Sequence, residues 1–172
     1  MAEGRRDRMV DYGAGERRRN PLIKSPLGGR LLSATQLPLF AVRPPNGYGI
    51  LTTTGRVSGK PRRRCVRAPR SGDRAYLVAI RGSAVTAWAK NIRANPDVRL
   101  RLPGGHFRGR ARGLEPDERE EALRVYLEPR SFFERLEYRN WRSGRPTRER
   151  IDDLHRSWFE RGTAFVVELR PD

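Results

Sequence analysis

The chain has 172 residues, enough for one domain with one substantial core. Charged residues make up 33% and hydrophobic residues 36%, and all but three of the 37 basic residues (Lys24, Lys60 and Lys90) are arginine, giving a formal net charge of +17. A single cysteine, Cys65, excludes a disulfide framework, and two histidines far apart in sequence, His106 and His155, exclude a metal-ligand cluster of the usual spacing. The apolar run at 37–42 is too short for a signal core or a membrane span, so a cytoplasmic protein is expected. The charge draws anions of any size: a small anionic molecule, an acidic membrane surface or nucleic acid.

Residues 1–19, with Arg5, Arg6, Arg8 and the run Arg17-Arg18-Arg19, show no apolar period and read as a basic mobile arm. A single domain is expected over 20–172. Residues 20–43 carry a broken amphipathic pattern, interrupted by Pro26 and Gly28-Gly29 and ended by Pro44-Pro45-Asn46-Gly47.

Strand signals begin at Tyr48. Residues 48–54, 62–68 and 74–80 are rich in β-formers and separated by the turns Ser58-Gly59-Lys60-Pro61 and Ser71-Gly72-Asp73, which reads as an antiparallel meander. A short helix follows, with Ala87, Trp88, Asn91 and Ile92 on one face and Asn95-Pro96 as its stop. Val98, Leu100 and Leu102 alternate with polar residues in a half-buried strand that turns at Pro103-Gly104-Gly105 into a partner at 107–114. Three helical stretches come next. The first opens at Pro116-Asp117-Glu118, the second spans 132–141, and the third runs from a Thr147 cap with Ile151, Leu154, His155 and Trp158 at helical spacing. A final strand covers 163–169. Six strands joined by tight hairpins predict a mainly β (α+β) small barrel with peripheral helices, because parallel crossovers need longer connections.

Two segments carry candidate chemistry. The first is Thr53-Thr54-Gly55-Arg56-Val57-Ser58-Gly59-Lys60-Pro61-Arg62 between two strands. Its glycines free the backbone to converge on an anion, and Arg56, Lys60 and Arg62 add positive charge around the Ser58 hydroxyl. The spacing is not that of a Walker P-loop, and no Rossmann fingerprint occurs. An anion-binding loop and an ordinary basic hairpin turn fit this segment equally well. The second is Arg81-Gly82-Ser83 running into Trp88 and Asn91, a strand-to-helix turn of the kind that presents free N–H groups. Trp88 taken alone reads as core ahead of a ring-packing role.

Together, Leu51-Thr52-Thr53-Thr54-Gly55-Arg56, Ser58-Gly59, Pro61-Arg62, Arg81-Gly82 and Trp88…Asn91…Ala94-Asn95-Pro96 resemble the deazaflavin-dependent nitroreductase family, also described as quinone reductases using coenzyme F420. The resemblance is closest over residues 48–114. It implies a six-stranded, FMN-binding-like split β-barrel and an oxidoreductase that moves a hydride from reduced F420 to a small electrophile such as a quinone or nitro compound. It also implies that Thr54, Gly55, Arg56, Ser58, Lys60 and Arg62 hold the coenzyme's phosphate and glutamate tail, that Arg81 and Gly82 approach from the next loop, and that Trp88 and Asn91 border the ring and its linker. No catalytic side chain is expected, since the cofactor carries the chemistry. Val57 stands where members often have lysine, with Lys60 as the replacement cation, and Cys65 where they often have proline.

The aromatic residues of the C-terminal helices read first as core. Tyr126, Tyr138 and Trp141 are the candidates for a substrate pocket, because each has a polar handle in need of a partner. The lone thiol of Cys65 reads as inert, and His155 as a packed residue. Two other classes compete with the reductase: a flavin- or haem-binding split barrel, with FMN as the alternative cofactor, and a non-enzymatic basic binder. The arm keeps peripheral membrane contact open. No motif for specific nucleic-acid readout is present.

Overall fold

The computed structural model describes residues 35–80 and 87–172. The arm at 1–19 and the start of the broken helix lie outside them; residues 35–42 are helical (α1). Seven strands follow: β1 (Tyr48–Thr54), β2 (Pro61–Arg67), β3 (Arg70–Ser71), β4 (Arg74–Ala79), β5 (Asp97–Leu102), β6 (Gly105–Gly113) and β7 (Thr163–Pro171). They form one antiparallel sheet in the order β2-β1-β5-β6-β7-β4-β3. The sheet curls until β2, at one edge, approaches β4 near the other. This is a split barrel, closed enough to enclose a core and open along one seam.

Two sequence expectations change. There are seven strands rather than six, because the turn before Asp73 is flanked by a two-residue strand, β3, too short to register as a periodic pattern. The first three predicted strands are also not a meander. β2 does not continue the ladder into β4; β4 pairs with β3 and with the distant β7, from Arg74 opposite Glu168 to Ala79 opposite Thr163. Short loops imply hairpins only when the chain does not switch sides of a barrel, and at Ala68-Pro69 it does.

Alternation within the strands builds two faces. Leu51, Leu77, Val98, Leu100, Phe107, Phe165, Val167 and Leu169 point into the barrel. Helix α2 (Ala87–Ala94) plugs that interior with Trp88, Ala89 and Ile92, and the Trp88 and Phe165 rings meet edge-on at 5.8 Å. Each such side chain contributes about 1.5–3 kcal/mol by leaving water.

The outer face is covered in two places. Tyr76, Val78, Ile80 and Val166 receive α3 (Arg119–Leu127), α4 (Phe133–Trp141) and α5 (Arg148–Arg161) in a second core that includes Tyr126, Tyr138, Leu154, Trp158 and Phe159. A short 3₁₀ turn, Pro116–Glu118, leads into α3, and the Thr147 hydroxyl accepts from the Arg150 N–H to cap α5. Phe40 of α1 packs with Tyr48, Ile50 and Phe133, with T-shaped ring pairs at 5.1 Å (Phe40–Phe133) and 4.9 Å (Tyr48–Phe133).

Candidate functional site

Gly55 to Lys60 form the connection between β1 and β2. The Gly55 N–H donates to the Lys60 carbonyl at 2.9 Å and the Gly59 N–H to the Gly55 carbonyl at 2.7 Å, so the loop is a tight, closed turn. Gly59 sits at φ +65°, where side chains other than glycine are strained. At Gly55 space is the constraint: a β-carbon there would stand 2.8 Å from Ser58 Oγ and 3.1 Å from the Lys60 carbonyl oxygen. The loop is thus drawn around Gly55, with Ser58 Oγ also accepting from Arg62 Nη2 at 3.2 Å.

Asn91 of α2 fastens this loop from within the barrel. It is buried, its Nδ2 donates to Thr53 Oγ1 at 3.0 Å, and its Oδ1 receives the Arg56 backbone N–H at 3.3 Å and Arg56 Nη1 at 3.4 Å. Both amide groups are used, which fixes which way the side chain faces. Arg56, Lys60 and Arg62 are exposed, and among the described residues no carboxylate lies within ion-pair distance of any of them. Three cations held on one closed turn, without counter-charge among the described residues, present a surface of positive charge.

A second cluster lies under the C-terminal helices. Buried Arg67 donates to Glu134 Oε1 at 2.9 Å, to the Tyr48 hydroxyl at 3.2 Å and, through Nε and Nη2, to the Tyr126 carbonyl. The Tyr48 hydroxyl donates to Glu137 Oε2 at 2.5 Å, His155 Nε2 meets the same oxygen at 2.9 Å, and Arg148 Nη1 reaches Glu134 Oε2 at 2.7 Å. Burial, then Arg67, pulls the His155 imidazole below its ordinary pKa against the pull of Glu137. Burial pushes Glu137 up, but His155, Arg67 and Tyr48 outweigh it and hold the carboxyl below its usual range. With a neutral ring, Nε2 carries the proton toward Glu137, and Nδ1 is left without a partner. The cluster joins β1 and β2 to α4 and α5. Sequence reasoning missed it; the available signal was Glu134, Glu137 and His155 falling on otherwise apolar helical faces.

The model of the F420H(2)-dependent quinone reductase family matches residues 41–143, more than half of the chain. The chain belongs to that family. Among solved structures, an F420-H2 dependent reductase (FDR-A) is 25% identical, aligning 71% of this chain with 94% of its own at TM-score 0.46. A domain-swapped dimer is 23% identical over 78% of this chain and 94% of its own, at TM-score 0.48. A heme binding protein from Mycobacterium smegmatis is 14% identical over 76% of this chain and 48% of its own, at TM-score 0.45. No curated protein matches.

This F420H(2)-dependent reductase family is a class of oxidoreductases whose coenzyme is F420. The loop at 54–62 suits an anionic coenzyme: among the described residues no carboxylate neutralises its cations, and the turn closes so tightly around Gly55 that a β-carbon would not fit. Arg81 and Gly82 lie outside the described residues. Trp88 is 5% exposed and belongs to the barrel core beside Phe165. Asn91 is likewise turned inward, toward the loop.

The aromatic pocket candidates lie among the C-terminal helices. Tyr126 and Tyr138 are 1% and 2% exposed and lie in the second core, with the Tyr138 hydroxyl donating to the Ser143 carbonyl at 3.3 Å. Trp141 is half-buried, its ring edge-on to Trp158 at 5.2 Å. The helices bearing them cover the outer face of β4 and β7, whereas α2 and the inner end of the loop occupy the barrel interior. Burial pushes the Cys65 thiol up to about 12, with Arg64 pulling the other way, so it is an unreactive strand residue. Among the described residues there is no group of three or more potential metal ligands and no helix long and apolar enough to cross a membrane.

Proposed function

We propose that the chain reduces a quinone or a nitro compound with reduced F420, using the β1–β2 loop to hold the coenzyme's anionic part. The observation that carries this reading is the loop itself: three cations without a carboxylate partner among the described residues, on a tight turn closed around Gly55 and fastened by Asn91. Arg56 and Arg62 supply forked donors, Lys60 a point charge, and the Ser58 hydroxyl a neutral donor. Thr54 lies at the rim where β1 enters the loop. Bound reduced F420 supplies the hydride; the protein binds, orients and excludes competing reactions. Asn91 acts as a positioning residue, since it holds Arg56 by both backbone and side chain without reaching solvent.

The test is a fluorescence titration of the purified full chain with oxidised F420, with FMN and haem as competitors, followed by quinone-dependent oxidation of the reduced coenzyme. Saturable F420 binding that FMN does not displace, together with turnover, is the expected result. Preferential binding of FMN or haem overturns it.

A further inference from the structure

Between the two helix-covered regions, none of the described residues covers the outer face of the sheet. It forms an open groove of about 1160 Å³ across β1, β5, β6 and β7, beginning beside Thr54 and Pro61 and ending at β7. The strand register decides what lines it. Arg63 stands opposite Thr52, Thr52 opposite Arg99, Arg99 opposite Arg108 and Arg108 opposite Arg170. Four arginines therefore form one rung across five strands, all exposed. At a strand spacing of about 4.8 Å the rung is about 19 Å long.

Like charges directly opposite one another destabilise a sheet. Elsewhere on this face the sequence avoids that cost: Asp97 lies 3.6 Å from Arg110, and Glu168 stands opposite Arg110 and pairs with Arg112. On the rung, Arg108 pairs with Asp172, but Arg63, Arg99 and Arg170 have no carboxylate within ion-pair distance among the described residues. The structure keeps an unfavourable row of charge beside the row through Asp97, Arg110 and Glu168, which is neutralised. A ligand that brings its own negative charges in a line removes the cost.

We infer that this rung is a binding site for single-stranded nucleic acid, read through its phosphates. A linear polyanion matches a linear row of guanidinium groups, and about 19 Å spans about six phosphates at stacked spacing. A second copy of the same face carries the same charge and is repelled. Phe107 lines the groove with its ring turned into the barrel, so binding rests on charge, independent of base sequence and strongly dependent on salt. This inference rests on the sheet face alone and not on the coenzyme.

The experiment uses the full chain and a short fluorescein-labelled oligothymidylate, read by anisotropy over a salt series. Arg99→Gln, Arg108→Gln and Arg170→Gln are combined in one variant. Arg135→Gln, Arg156→Gln and Arg161→Gln, exposed on the helices, make a control of equal charge change. The rung variant is expected to bind at least about tenfold more weakly, with a log–log salt slope shallower by about 2, and the control to stay near wild type. Its melting temperature is expected to hold or rise, since repulsion is relieved, which separates lost binding from lost folding. Equal losses in the two variants, or no loss in either, overturn the site. So does a rung-dependent association with phosphatidylglycerol vesicles in place of the oligonucleotide.

Discussion

Asn91 donates to Thr53 across 3.0 Å while its carbonyl oxygen receives Arg56, so one buried amide joins helix α2, strand β1 and the arginine loop. Removing it strands a buried hydroxyl and frees the loop's leading arginine. Asn91→Ala is expected to lower stability by about 1–3 kcal/mol and to weaken F420 binding as well. Thermal denaturation and fluorescence titration check the two effects separately. Unchanged coenzyme affinity in a destabilised Asn91→Ala would leave Asn91 a core residue only.

The loop cations themselves are exposed and make no ion pair among the described residues, so their replacement should not disturb the fold. Arg56→Ala and Arg62→Ala are each expected to weaken F420 about 10- to 100-fold, with the melting temperature nearly unchanged. Added salt should weaken the wild type more than either variant. Affinity that survives both substitutions would reduce the loop to a hairpin turn.

Gly55 tests shape rather than charge. A methyl group there meets Ser58 Oγ at 2.8 Å and the Lys60 carbonyl at 3.1 Å, and the latter is backbone within a closed turn. Gly55→Ala should open the turn and cost coenzyme affinity, whereas Gly113→Ala, with open space around it, should cost none. Parallel titrations of the two variants distinguish a required turn shape from a general sensitivity to glycine loss.

The alternation of β5, the cap of α5 and the apolar face of α2 were legible in the sequence because each is a local pattern. The anion loop was legible as chemistry because its residues lie within ten positions. The β4–β7 pairing was not, since nothing local links Ala75 to Val167. Nor was the Arg67–Glu134 pair, whose partners lie on β2 and α4 and meet only after the helices dock. The rung of arginines was hidden for the same reason. Arg63, Arg99, Arg108 and Arg170 look like scattered surface charge until register aligns them.

The His155–Glu137 pair gives the fold a defined response to acid. His155 has its folded pKa below the unfolded value, so the unfolded chain binds more protons and stability falls as pH drops through about 6.5. Glu137 is also depressed, so its contribution is present above the ordinary carboxylate range and is lost as pH falls through the folded value. Both effects have the same sign. The melting temperature should decline between about pH 7 and pH 5 and further below it, and in His155→Gln the upper part of that decline should flatten. An unaltered pH profile in His155→Gln would show that His155 does not titrate on unfolding.

Tyr138 separates core from pocket. Its ring is buried among Ile151, Leu154 and Trp158, and its hydroxyl makes one long hydrogen bond to the Ser143 carbonyl. Tyr138→Phe removes only that bond and should cost about 0.5–1.5 kcal/mol. Tyr138→Leu also exchanges a flat ring for a smaller branched chain, leaving a partial cavity, and should cost more, about 2–4 kcal/mol. If the ring is core, the melting temperature falls in the order wild type, Phe, Leu, while kcat/KM for a quinone and the Kd for F420 hold in whatever fraction remains folded. A substrate role predicts the opposite division. Loss of the ring would disturb the positioning of the acceptor, and loss of the hydroxyl would remove a donor from the oxygen that gains charge during hydride transfer. Either would lower kcat/KM without a matching fall in melting temperature. The burial of Tyr138, on the side of β4 away from α2, makes the stability series the expected outcome.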